Sequence, residues 1–145
     1  MADCANVQIM NSIVSKVSAA IASSPFLGTN VYRNQITPIE DSRFVSIYRA
    51  SIDNEFASAY FTDTQYGFLV EVKARGVDDI ESENILAVSI NGIIDGTILD
   101  GLASSVEYSN SSVEYEPNGI NFVYIAVGRI IVKYMLNNDD QFQLI

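Results

Sequence analysis

The sequence predicts an α+β fold: a single mixed, mainly antiparallel sheet with two main helices packed on it and a long C-terminal β-hairpin. Three observations lead there. Apolar residues recur at helical spacing in two stretches, alternate with period two in several others, and a strong turn signal divides the last third into two long arms. With 145 residues and 48% hydrophobic composition the chain can build one packed core, and two independent domains are not expected.

The first helix is predicted from Asp3 to about Ser23, with Val7, Met10, Ile13, Val14, Val17 and Ile21 along one face. Asp3 reads as its N-cap. Ser23-Ser24-Pro25 reads as its stop, because the residue before a proline is pushed out of helical geometry. A short strand at Val31-Tyr32 and a polar loop holding Pro38 follow.

Phe44 to Ala50 alternates as a strand, with Phe44, Ser46 and Tyr48 on one face and Val45, Ile47 and Arg49 on the other. The pattern leaves open which face is buried. Ser51 to Thr64 scatters Phe56, Tyr60 and Phe61 among polar residues and reads equally as a strand pair or a loop. Gln65 to Arg75 alternates Phe68, Val70, Val72 and Ala74 with Leu69, Glu71, Lys73 and Arg75, the pattern of a strand with one wetter face.

The second helix is expected to begin at Asp78, which with Glu81 makes a capping-box-like pair. Asp78, Asp79 and Glu81 suit the positive end of the helix dipole, and Ile80, Ala87, Ile90 and Ile94 form the expected buried stripe. Asn91-Gly92 weakens the helix near its end, and Asp95-Gly96 reads as its stop.

The hairpin is read as a strand from about Ser104 to Tyr115, a turn at Glu116-Pro117-Asn118-Gly119, and a strand from Ile120 to Met135. Ser-Ser-Val-Glu-Tyr occurs twice in the first arm, at 104–108 and 111–115. A spacing of seven is odd, so a regular strand would send the two copies to opposite faces; either a bulge lies near Asn110 or the repeat is accidental. Residues 1–136 are therefore taken as the folded domain and 137–145 as a polar C-terminal tail. Phe142, Leu144 and Ile145 give that tail an apolar end, for which docking on a neighbour and simple disorder fit about equally.

Charged residues make up 18% of the chain, below the roughly 25% usual for soluble domains. The mean hydropathy is slightly positive, at +0.17. A compact monomer with a Ser/Asn/Thr-rich surface would satisfy this, and a subunit that hides surface in a homo-oligomer satisfies it slightly better. Eighteen acidic residues against eight basic ones give a net charge of −10, which opposes attraction to nucleic-acid phosphates or anionic lipid. No sequence-specific nucleic-acid partner and no membrane partner are expected, although an acidic balance also suits the lining of a passage that DNA must cross.

Cys4 is the single cysteine and there is no histidine, so an intrachain disulfide, a Cys/His zinc site and a Ser-His-Asp triad are all excluded. No apolar run approaches the roughly 20 residues of a membrane-spanning helix. The N-terminus lacks the basic region of a signal peptide, so synthesis in the cytoplasm is expected.

Carboxylates are the remaining catalytic equipment. Asp78, Asp79, Glu81 and Glu83 are better explained as helix-start residues, and Asp53, Glu55 and Asp63 as solvated charge. Gly96 to Gly101 is glycine-bounded but lacks the lysine of a phosphate loop and follows a helix instead of preceding one. Tyr108, Tyr115, Tyr124 and Tyr134 read as strand packing before a ligand platform. Arg33, Arg43, Arg49, Arg75 and Arg129 are too dispersed for a basic patch, though single intersubunit ion pairs fit. No catalytic, cofactor-binding or metal-binding residue is assigned, and no cofactor is expected.

Four segments in order carry a resemblance: Asn30-Val31-Tyr32-Arg33, Phe44-Val45-Ser46-Ile47-Tyr48, Phe68-Leu69-Val70-Glu71-Val72, and the closing arm from Asn121-Phe122-Val123-Tyr124-Ile125 to Ile131-Val132-Lys133-Tyr134-Met135. Together they resemble the tail terminator proteins of long-tailed bacteriophages, the lambda-type minor tail family. The resemblance covers nearly the whole chain, apart from Ser51–Thr64 and the stretch after Met135, and includes no catalytic signature. It implies a homohexameric ring on the head-proximal end of the tail tube. That ring would end tube polymerisation and present a surface to the head-side connector or neck protein, with the tail sheath as a further possible contact. Assembly in the bacterial cytoplasm and residence in the virion follow from it. The alternatives are a head-tail joining protein, or a small carboxylate-based ligand-binding module or enzyme.

Overall fold

Helix α1 spans Ala5–Ala22 in the computed structural model, which describes residues 4–33, 43–56, 61–76, 80–94, 105–118 and 121–137. It buries Ala5, Ile9, Met10, Ile13, Val17 and Ile21. Ile9 therefore lies on the stripe, while Val7 and Val14 are half-buried on its flanks. The N-cap position falls at Cys4, whose carbonyl accepts from Gln8 N–H at 3.0 Å and whose side chain makes no capping bond. Asp3, assigned to that position from the sequence, lies outside the described residues; cap preference alone does not decide where the first helical hydrogen bond closes.

The predicted stop is where the helix ends, and Ser24 supplies the chemistry. Its hydroxyl donates to Ile21 O at 2.7 Å and accepts from Phe26 N–H at 3.1 Å, partnering groups that the helix end leaves free. Gly28, at φ 96°, then turns the chain into the first strand, a conformation that a side chain would strain.

Five strands follow: β1 (Asn30–Arg33), β2 (Arg43–Phe56), β3 (Phe61–Gly76), β4 (Ser105–Asn118) and β5 (Asn121–Asn137). Their order in the sheet is β1-β2-β3-β5-β4, with β1 parallel to β2 and every other pair antiparallel. This is the mixed, mainly antiparallel sheet that the sequence predicts. Ser51 to Thr64, left open between a loop and a strand pair, is a strand pair through most of its length: Ile52 pairs with Tyr66 and Phe56 with Thr62, beyond a register shift between Arg49 and Ser51.

The register settles which face is buried. Val45 and Ile47 of β2 pair with Val72 and Val70 of β3, and these with Ala126 and Gly128 of β5. With Phe68, Ile130 and Val132 they form the layer beneath the helices, where burial of each large side chain contributes about 1.5–3 kcal/mol relative to exposure. On the helix-free face Phe44 and Ser46 are buried as well, so β2 is covered on both sides near its start.

Helix α2 spans Ile80–Ile94 and packs on α1, β3, β5 and β4. Its buried positions are Ser82, Ile85, Leu86, Ser89, Ile90 and Ile93, so of the predicted stripe only Ile90 is right; Ile80, Ala87 and Ile94 are exposed. The error has a physical cause. The helix is apolar on more than one side, and the face that wins contains two serines; Ser89 meets its hydroxyl requirement by donating to Ile85 O at 2.8 Å. Gly92 sits at the helix crossing, where an added Cβ would stand 2.5 Å from Ala20 Cβ and 3.0 Å from Lys16 O. Close approach of α1 and α2 is the reason for glycine there.

The hairpin ladder runs to the pair Asn118–Asn121, so Glu116 and Pro117, assigned to the turn from the sequence, pair with Val123 and Phe122. Pro117 is tolerated because β4 is an edge strand, which need not donate outward. The expected bulge is present, with a register shift between Tyr108 and Ser111. It makes both copies of the repeat equivalent: Val106 pairs with Val132 and Val113 with Ala126, two residues of the same face of β5. The Pro38 loop, Asp78, Asp79, the stretch Asp95 to Gly101, Gly119 and the tail after Asn137 lie outside the described residues.

Candidate assembly surface

Among the described side chains, the carboxylates singled out from the sequence stand on separate elements, Glu81 and Glu83 on α2 and Asp63 on β3. Glu81 reaches Arg43, with Oε1 and Nη1 2.6 Å apart, while Arg43 Nη2 donates to Leu27 O at 3.3 Å and its guanidinium lies 5.7 Å from the Phe26 ring centre. One arginine thereby joins the turn after α1, the start of β2 and the first turn of α2, a bracing role that sequence spacing could not reveal. Glu83 and Asp63 are exposed, and Glu55 stands opposite Asp63 in the β2–β3 register. Among the described residues no group of three or more Cys, Asp or Glu side chains could hold a metal ion.

The hairpin tyrosines separate into different roles. Tyr134 is buried and donates its hydroxyl to Asn6 Oδ1, tying β5 to the start of α1. Burial, with smaller contributions from Tyr66 and Cys4, raises its pKa well above the ordinary 10.0. Tyr124 is half-buried. Tyr108 is 42% exposed and lies against Gly128, where an added Cβ would be 2.9 Å from its Cε2.

That ring lines an open groove of about 370 Å³ between α2 and β4. Leu86, Ala87, Ile90 and Ile94 form its helical wall, and Glu83 and Asn91 its polar fringe. Of the four exposed large hydrophobic residues among those described, Ile80, Ile94 and Tyr108 belong to α2 and β4. The signal was present as the second apolar side of α2, but the sequence does not say which side faces the sheet. The outer edge of β4 pairs with no other strand among the described residues, leaving a ladder edge beside the groove.

The helix-free face is of another kind. Lys73, Arg75, Arg129 and Lys133 lie on it, half of the eight basic residues in the chain. Lys73 is 3.4 Å from Glu71 and Lys133 3.0 Å from Glu107, while Arg75 and Arg129 are exposed. Half-buried Leu69, Val127 and Ile131 stand between these charges. Arg33, on β1, donates to Asn11 Oδ1 at 2.9 Å, and Arg49 is exposed. The dispersed arginines of the sequence are thus only partly gathered, two of the five onto one sheet face.

No family model matches the chain, and none of the curated proteins compared with it matches. The fold has counterparts among solved structures. A chain from the virion of a native gene transfer agent particle overlays with a TM-score of 0.61 and 11% identity, covering 86% of this chain and 97% of that one. A second solved structure, at 16% identity over 88% of this chain and 94% of its own, reaches only 0.47. The first likeness establishes a shared fold over nearly the whole of that virion chain.

Proposed function

We propose that this protein is a virion structural component of a tailed phage or phage-like particle, acting as a ring on the head-proximal end of the tail tube. The observation that carries the reading is the overlay with a chain of the gene transfer agent virion over 97% of that chain's length. The segments that resemble tail terminators support it, as does a surface that carries, among the described residues, an apolar groove, a strand edge without an outer partner and a mixed-charge sheet face.

Residues 1–136 form the body of the ring and 137–145 an appended tail. Capping needs no catalysis: one face of the ring reproduces the contacts of the tube and the other withholds them, and closure by rotation stops growth. The partners are further copies of this chain in a six-membered ring, the tube protein, a head-side connector protein and, where the tail contracts, the sheath. With a net charge of −10, the channel surface carries acidic side chains that let DNA pass without sticking. A cryo-electron microscopy map with a predominantly basic lumen would remove that part of the reading.

The test is to image by negative stain particles assembled without the chain and after adding it back. Overlong headless tubes, corrected by addition, are expected. Tubes of normal length that fail to join heads would identify a head-tail joining protein instead, and complete particles would refute both.

A further inference from the structure

We infer that copies of this chain meet edge to face, with the Glu107 and Glu114 positions of β4 in one copy set against Arg75 and Arg129 on the helix-free face of the next. The inference deepens the ring reading and rests on it, because it needs a neighbour of the same sequence. The repeat Ser-Ser-Val-Glu-Tyr puts a glutamate at the same point of each copy, Glu107 and Glu114. In an unbroken strand a separation of seven would turn the two to opposite faces, but the register shift between Tyr108 and Ser111 absorbs one residue. Glu107 therefore stands opposite Ile131 and Glu114 opposite Ile125, six residues apart on one side of β5. At about 3.3 Å per residue that is roughly 20 Å. The strand that carries them lies at the edge of the sheet.

The helix-free face offers the complement at the same interval. Arg129 lies on β5, and Arg75 of β3 stands opposite Val123, so these two are also six residues apart along the sheet and offset by one strand. Both are exposed, and among the described residues neither has a carboxylate partner, whereas Lys73 and Lys133 of the same face are held by Glu71 and Glu107. Half-buried Leu69 and Val127 lie between the arginines, apolar surface for a neighbour to cover. A chain of net charge −10 repels its own copies, so their contact needs local pairs of opposite sign. The acidic positions of the β2–β3 pair do not match the interval: Asp53 stands opposite Gln65, two residues from the Glu55–Asp63 pair, a span of only about 7 Å. Glu107, with 53% of its side chain exposed, keeps acceptor sites beside its bond to Lys133. An edge meeting a face is a heterologous contact, the kind that can close into a ring.

Charge reversal in the full-length chain tests this, with association followed by sedimentation velocity in solution and by electron microscopy on tube ends. Glu107→Arg with Glu114→Arg is expected to weaken self-association at least about tenfold, although it lowers the overall negative charge and with it the general repulsion. Arg75→Glu with Arg129→Glu is expected to weaken it as much. An equimolar mixture of the two variants should regain wild-type association, because each then offers the other an opposite charge at both contacts, and a six-membered ring admits such alternation. Urea midpoints of the separate variants establish that each is folded. Should a reversal unfold the chain, the neutral pairs Glu107→Gln with Glu114→Gln and Arg75→Gln with Arg129→Gln replace it, each expected to weaken association at least about threefold. Folded variants that associate like wild type would overturn the inference, and so would a mixture of the reversals no better than its parts. Equal weakening by Asp63→Arg with Glu83→Arg would overturn it too, as would a wild-type chain that associates neither in solution nor on tube ends. Tubes capped alike by wild type and both variants would sink this inference and leave the proposed function standing. Rescue by mixing in a protein that never caps tubes would do the reverse.

Discussion

The ring of Tyr108 occupies space that exists only because Gly128 has no side chain: a Cβ on Gly128 would lie 2.9 Å from Tyr108 Cε2 and 3.3 Å from the Cδ1 atoms of Ile90 and Leu86. Gly128→Ala should therefore displace the ring and cost about 1–3 kcal/mol, read as a lower urea midpoint. In a Tyr108→Ala background the same change should be close to neutral, since the principal clash is gone and alanine restricts the unfolded chain. Equal costs in both backgrounds would show that the ring is not what glycine accommodates.

Gly92→Ala sets two effects against each other. Alanine gains up to about 1 kcal/mol of helix propensity, yet its Cβ would meet Ala20 Cβ at 2.5 Å and a backbone oxygen at 3.0 Å. Backbone cannot step aside as a side-chain tip can, so net destabilisation of about 1–3 kcal/mol is expected in chemical denaturation. A more stable variant would mean that α1 and α2 do not approach this closely.

Deleting Asn110 removes the extra residue between Tyr108 and Ser111 and leaves the remaining β4–β5 pairs in register, with Val113 still opposite Ala126. Deleting Ser109 and Asn110 together shifts those pairs by one and turns Val113 away from the face of β5 that carries Ala126 and Val132. A loss of more than about 2 kcal/mol is expected by thermal unfolding for the double deletion, and a clearly smaller one for the single deletion. Equal effects would mean that the register beyond the bulge is not what holds β4.

Tyr134 adds a pH dependence at the alkaline end. Its folded pKa is raised above the ordinary 10.0, first by burial, so the folded state holds the proton more tightly than the unfolded chain does. Its contribution is complete below pH 10 and declines as the pH rises beyond that. Tyr134→Phe should flatten this part of the stability profile and, by deleting the bond to Asn6, cost about 1 kcal/mol at pH 7. Urea midpoints from pH 7 to 11 measure both, and parallel profiles for the two proteins would contradict the assignment.

Arg43→Ala should cost about 1 kcal/mol, because the ion pair with Glu81 is partly exposed and its contribution is correspondingly small. The more sensitive readout is hydrogen exchange, which should quicken together in the turn after α1 and the first turn of α2. Quickening at only one of them would mean that Arg43 does not couple the two.

The sequence by itself determined the elements whose local period is unambiguous. Helix α1 and the alternating strands around Val45 and Val70 follow from spacing, the helix stop from Ser23-Ser24-Pro25, and the odd separation of a five-residue repeat left a bulge in β4 as one of two readings. The composition, without histidine and with one cysteine, likewise excluded several chemistries. Only the tertiary structure decided which side of α2 is buried, because a helix apolar on more than one side has no preferred face until another surface meets it. The same holds for the Arg43–Glu81 brace, whose members are 38 residues apart, for the reason Gly92 is glycine, and for the groove at Tyr108. Each depends on surfaces brought together from distant parts of the chain, and local periodicity carries no information about such meetings.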